Sequence, residues 1–340
     1  MLNKELKVAE TTVGGNESPF IIAEVGSNFD KSLDKAKKLI DVAREAGANA
    51  VKFQLFRADV LYPNRDGLYD IFKSIELDAE WVPLLNKHAK DQGLHFLASA
   101  FDMDSVKVLE LINTPAHKVA SSETTNLGFV HKLASIGKPV IISTGMCDMV
   151  DVEEAVNVCL GAGNHQIILL QCGAMYPLPN ELVNLRVIQS LAQRFNCPVG
   201  FSDHTLGQVA AITAVGLGAK VFEKHYTLDK SGVGPDHFYA MEPAELKSYV
   251  SAIHEAHEAL GSGEKQMLPK EKELGRREGL YLMRDMNKGE TITAADIISR
   301  RPASGLRARY VSVVIGAKLT QSVEKDQALN WDVLTFGDTK

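Results

Sequence analysis

Two histidines end neighbouring apolar runs of the chain: His204 follows "PVGFSD" and His225 follows "AKVFEK". Neutral imidazoles from adjacent strands can share one divalent metal and leave positions open for water or substrate oxygens. Each is preceded closely by an acid, Asp203 or Glu223, of the kind that orients a ligating ring. A second set joins Lys52 and Lys118 to the hydroxyls of Ser99, Ser121, Ser143 and Ser202, which suits a phosphate or carboxylate group. Glu24, Gln54, Glu123 and Tyr176 also fall at or just after the ends of apolar runs. A lysine in such a place can instead act as a Schiff-base nucleophile, so a pyruvate-dependent aldolase is the alternative chemistry. "HEAHE", residues 254–258, sits late in an amphipathic helix, and its order matches neither helical zinc motif.

The elements that must position these groups follow a regular alternation. Short apolar, β-branched runs occur at residues 20–25, 50–56, 94–100, 116–121, 139–143, 166–172, 198–201 and 219–224. Each precedes a stretch with apolar spacing of three and four, such as "SLDKAKKLIDVAREAG", and many of these end in a capping glycine (Gly47, Gly93, Gly137, Gly161, Gly218). Continuous apolar strands alternating with helices imply a parallel sheet covered on both faces. Eight such units in about 260 residues predict an α/β fold of the (β/α)₈ TIM-barrel type, whose active site lies at the C-terminal ends of the strands. No GxGxxG follows the first strand, which argues against an open dinucleotide-binding sheet. In "GFSDHTLG", Asp203 or Thr205 is also expected to cap the helix that begins near Leu206.

The alternation stops near residue 265. The predicted organisation is a barrel over 1–264, a charged linker over 265–278 and a small, mostly β domain over 279–340, in which "MNKGETITAADI" and "VEKDQALNWDVL" share one form. A net charge of −6 and the lack of a basic, aromatic-interleaved stripe exclude general nucleic-acid binding. Four scattered cysteines without a CxxC pair suggest reduced thiols, and no run approaches the roughly 18 apolar residues of a membrane span. A soluble, cytoplasmic protein is expected.

The motifs "IIAEVGSN", "VKFQ", "HKVASSE", "VIISTGM", "QCGAMYPLP", "GFSDHT" and "FEKHYTLDKSGVGPDH", in this order, resemble the sialic acid synthase family, and "KGETITAADIISRRPASG" is similar to that family's antifreeze-like (SAF) domain. The resemblance implies a transferase that condenses phosphoenolpyruvate with an N-acyl hexosamine and water, giving a nine-carbon 2-keto sugar acid of the sialic or legionaminic type and phosphate. A pseudaminic acid synthase is the alternative within the family. It further implies that Lys52, Ser99, Lys118, Ser121, Ser143 and Ser202 hold phosphoenolpyruvate, and that His204 and His225 hold Mn²⁺ or Mg²⁺. Gln54, Glu123, Tyr176 and Asp236 would meet the sugar, with Glu24 or Glu123 as acid/base. Arg301 would reach its N-acyl group from the partner in a domain-swapped homodimer. Three positions depart from the family pattern: Phe29 where His is usual, Ala174 where a polar residue is usual, and Ser99 for Thr.

Overall fold

A computed structural model describes residues 1–337. The chain divides into two compact units, Met1–Gly261 and Ser262–Lys340. The first unit is a closed barrel of eight parallel strands: β1 (Phe20–Gly26), β2 (Ala50–Leu55), β3 (His95–Ala100), β4 (His117–Val119), β5 (Val140–Ser143), β6 (Ile167–Cys172), β7 (Val199–Asp203) and β8 (Val221–His225). They run round the barrel in chain order, and β8 pairs with both β7 and β1. Three strands reach further than their apolar runs: β1 extends to Gly26, β7 to Asp203 and β8 to His225, so polar residues of β7 and β8 stay in register at the mouth.

Outward side chains of the strands pack under a ring of helices, of which α1 (Leu33–Ala46) shows how the ends are set. Ser32 accepts a hydrogen bond from the Lys35 amide at its start, and Gly47 at φ 87° ends it in the left-handed region. One expected glycine stop is displaced. Gly161 lies inside the helix Met149–Gly161, and Gly163, at φ 78°, takes the left-handed position. The cap expected in "GFSDHTLG" is also absent: α2 (Val209–Gly216) starts later, after Gln208, with no side-chain cap. Phe29 faces this helical layer, 1% exposed against Phe53 and Trp81, so its departure from the family pattern is a packing substitution away from the mouth.

The barrel interior has two storeys. The lower one is apolar, with Ile22, Leu97, Ile141, Ile168, Leu170 and Val221 among its members. An N-terminal hairpin, Glu5–Val8 with Thr11–Gly14, plugs that end through Leu6, Val8 and Val13. Sequence periodicity did not reveal this plug, because four-residue strands are too short to show a period. Gly200 in β7 is required here: a Cβ would meet the Val221 carbonyl oxygen and lie 2.6 Å from Leu170 Cδ2.

The second unit has its own core, including Leu280, Leu282, Met286, Ile292, Val314 and Leu329. The two similar stretches of the sequence meet as equivalents: Met286 and Val323 exchange backbone hydrogen bonds, both 2.9 Å. The short helices Ala294–Asp296 and Trp331–Val333 follow at corresponding positions. Segment 265–278 carries a short helix, Pro269–Glu273. Among the described residues, no helix is long and apolar enough to cross a membrane.

Candidate active site

The upper storey is built from the inward residues nearest the C-terminal ends of the strands. Strand pairing sets Glu24 beside Lys52 and His225, and Ser99 beside Lys118. Lys52 Nζ lies 2.8 Å from Glu24 Oε2 and 3.7 Å from Glu223 Oε2, and donates to Ser99 Oγ at 3.0 Å. Lys118 Nζ donates to Ser143 Oγ at 2.6 Å and stands 3.8 Å from Glu223 Oε2. Ser202 Oγ donates to Glu223 Oε1 at 3.2 Å, and Gln54 Nε2 to Glu24 Oε1 at 3.2 Å. Two lysines therefore bracket one glutamate, with the hydroxyls of Ser99, Ser143 and Ser202 around them, all of these residues buried.

Burial and charge drive the two glutamates apart. Burial lifts the Glu24 carboxyl to about 7, against the pull of Lys52. Burial would also lift Glu223, but Lys118 and Lys52 outweigh it and hold that carboxyl at about 2. Burial lowers the Lys118 ammonium from its ordinary range. For Lys52 the same penalty is outweighed by Glu223 and Glu24, which keep it firmly charged. One buried acid is thus ionised while another sits near neutrality, the division that acid/base chemistry requires.

His204 and His225 come together at the rim, ring centroids 5.6 Å apart. The acids beside them in sequence do not orient them: Asp203 faces the helical layer, and Glu223 faces the lysines. Instead His204 Nδ1 donates to the Gly173 carbonyl at 2.8 Å. The Tyr239 hydroxyl gives its proton to Asp236 Oδ1 at 2.8 Å, so at 3.3 Å it accepts from His225 Nδ1. With Nδ1 carrying the proton, Nε2 is the lone-pair nitrogen of each ring in its neutral form; for His204, burial opposes the charged form but Cys172, the Gly173 carbonyl and Glu223 outweigh it and raise its pKa. Burial pushes His225 down to about 3, which keeps it neutral. This donor set fits a divalent ion held by two imidazoles, with water or substrate oxygens as the other ligands. Among the described residues no group of three or more His, Cys, Asp or Glu forms a protein-only metal site.

Tyr176 packs on His204, centroids 4.1 Å apart. Asp236 is engaged within the rim, its Oδ2 accepting from the Ser27 amide at 2.9 Å and the Ser27 hydroxyl at 2.8 Å. Ser121 Oγ accepts from the Gly145 amide at 3.0 Å. Glu123 stands apart from the lysine network, accepting from Ser122 Oγ at 2.6 Å, with its carboxyl raised by burial. Arg301 belongs to the second unit, where it is exposed and 3.8 Å from Glu278. The central place of Glu223 was missed as such, although it shares the parity of His225 along β8. The Tyr239 link had no sequence signal, because it depends on how the loop after β8 folds back to pair Tyr226 with Met241.

Fold and site together define a (β/α)₈ barrel with a charged, histidine-rimmed mouth, followed by a small β domain. Residues 39–265 match the NeuB family and residues 277–335 match the SAF domain. The chain is 38% identical to the N,N'-diacetyllegionaminic acid synthase of Legionella pneumophila, over 94% of this chain and 95% of the relative. It is 34% identical to a pseudaminic acid synthase of Campylobacter jejuni, over 91% of this chain and 95% of that one. The crystal structure of N-acetylneuraminic acid synthetase from Leptospira borgpetersenii, in complex with citrate, superposes with a TM-score of 0.76 at 31% identity, covering 80% of this chain and 95% of that one. The chain belongs to the NeuB family of sialic-acid-type synthases.

Proposed function

We propose that this protein condenses phosphoenolpyruvate with an N-acyl hexosamine and water, releasing phosphate and a nine-carbon 2-keto sugar acid. The observation that carries this reading is the buried Lys52–Glu223–Lys118 arrangement with Ser99, Ser143 and Ser202, directly below the histidine pair. In this reading the lysines and hydroxyls hold the phosphate and carboxylate of phosphoenolpyruvate. Gln54, Glu123, Tyr176 and Asp236 border the sugar, and Ser121 supports the phosphate end. Glu24, buried and near neutrality, takes the proton of the water that adds to the carbon bearing the phosphate. His204 and His225 would hold Mn²⁺ or Mg²⁺, which when bound polarises the sugar's open-chain aldehyde. The acceptor class we favour is the one leading to legionaminic acid, given the relative at 38% identity. The working form we propose is a cytoplasmic homodimer in which Arg301 of the partner subunit binds the sugar's N-acyl group.

The test is phosphate release from phosphoenolpyruvate against a panel of acceptors: N-acetylmannosamine, its 6-phosphate and the diacetamido trideoxy hexoses of both stereochemical series. Chelation should abolish release. Full activity after exhaustive chelation would overturn the metal-assisted reading. Arg301→Ala should raise KM for the sugar about tenfold or more and leave KM for phosphoenolpyruvate alone, as expected for a lost hydrogen bond from a charged group worth about 1.5–3 kcal/mol. Equal losses would count against the swapped arm. One observation favours the aldolase reading: burial moves Lys118 toward the neutral amine a Schiff base needs. A pyruvate adduct trapped by borohydride on Lys118 would establish it.

A further inference from the structure

Behind the two histidines, on the outer face of the strands, lies a buried ion pair that the chemistry above does not use. Asp203 and Lys224 occupy the same rung of the β7–β8 pairing, each one residue before a histidine. Their side chains are 0% and 2% exposed, 3.2 Å apart. Asp203 Oδ2 also accepts from the Tyr249 hydroxyl at 3.0 Å, and the Lys224 ammonium lies 5.4 Å from that tyrosine's ring centre. Tyr249 comes from α3 (Pro243–Leu260), the helix after β8.

The other oxygen of Asp203 reaches past His204. Oδ1 accepts from the Thr205 amide at 2.8 Å and the Thr205 hydroxyl at 2.7 Å, and Lys224 Nζ donates to the Thr205 carbonyl. β7 ends at Asp203, and beyond it the His204 carbonyl accepts from the Leu178 amide at 2.8 Å rather than from a neighbouring strand. The carboxylate and the ammonium hold the following residue, Thr205, from both sides, and so tie the turn that carries His204 to the residue preceding His225. Stability alone is a weak reason to keep such a pair. Buried ion pairs are often replaceable by apolar side chains with little change in stability, because desolvation offsets the attraction.

We propose that Asp203, Lys224 and Tyr249 form a positioning cluster that sets the separation of the His204 and His225 rings, and thereby the affinity for a divalent ion. They touch neither the ion nor the substrate. The inference rests on the histidine pair being the metal site, and the test separates the two ideas. Mn²⁺ alone is titrated into the full-length protein, and free ion is followed by its hexaaqua EPR signal, for wild type, His225→Ala, and the double variant Asp203→Asn/Lys224→Met.

The double variant removes both charges together, and the amide oxygen introduced by Asp203→Asn can still accept from Thr205. It should melt within about 3 °C of wild type yet bind Mn²⁺ about 10- to 100-fold more weakly, the usual effect of losing a group that orients metal ligands. Wild-type affinity in the double variant, beside a large loss in His225→Ala, overturns the cluster's role and leaves the metal site standing. Wild-type affinity in His225→Ala overturns the metal site and the cluster's role with it. If the double variant does not fold, Tyr249→Phe decides: removal of one hydrogen bond to Asp203 should weaken Mn²⁺ binding several-fold, and unchanged affinity refutes the proposal.

Discussion

Glu24 offers a direct measurement of how strongly the barrel interior perturbs a carboxyl. It is 1% exposed, and burial raises it from 4.5 to about 7. At about 1.4 kcal/mol per pH unit, that difference is worth about 3 kcal/mol between the two protonation states. The folded protein binds this proton more tightly than the unfolded chain does. Its contribution to stability is therefore fully present below pH 4.5 and lost as pH rises through about 7. Most of the change, about 2–3 kcal/mol, falls between about pH 5 and pH 9. Glu24→Gln keeps the shape and the acceptor toward Gln54 but has no proton to lose. The variant also leaves Lys52 with Glu223 alone, 3.7 Å away, which adds an offset with little pH dependence. The quantity to follow is the melting temperature of wild type minus that of Glu24→Gln, measured at intervals across this window. It should fall by about 4–12 °C on going from acid to alkaline pH, for a unit of this size. A difference that stays constant across the range would mean that Glu24 titrates like an exposed carboxylate, and its assignment as the acid/base group would lose its physical basis.

Two further substitutions probe the frame that holds the site. Gly200→Ala places a methyl group against the Val221 carbonyl and 2.6 Å from Leu170 Cδ2; calorimetry should show a loss at or above the upper end of the usual overpacking range of about 1–3 kcal/mol, and an unchanged melting point would contradict the packing described for the lower storey. Phe29→Ala should cost about 3–5 kcal/mol, as for other buried aromatics, while KM for either substrate stays as in wild type; a selective change in KM would place Phe29 among the site residues.

The sequence was most legible where burial is most complete. Strands covered on both faces read as unbroken apolar runs, so all eight could be located from runs such as "FIIAEV" and "QIILLQC". Their lengths were less legible. β7 continues into Ser202 and Asp203 and β8 into His225, polar residues that hydropathy assigns to a loop although all three are buried. The plug before β1 stayed hidden since Leu6, Val8 and Val13 gain their meaning only from the open end of the barrel they fill.

The site itself turns on parity along β8. Once His225 faces the mouth, Glu223 must face the lumen and Lys224 the helices, since neighbouring side chains on a strand point to opposite sides. The same rule applied to β7 sends Ser202 inward and Asp203 outward, and pairing β7 with β8 then sets Asp203 beside Lys224. "FSDH" and "FEKH" are therefore two versions of one pattern, an inward polar residue, an outward charge and a rim histidine. Reading the charges Asp203 and Glu223 as equivalent partners of the rings fails because they sit at different offsets from their histidines: one residue before His204, two before His225. That single difference in spacing sends one acid to the lysines that would bind an anion, and the other to the lysine that holds the histidine turn in place.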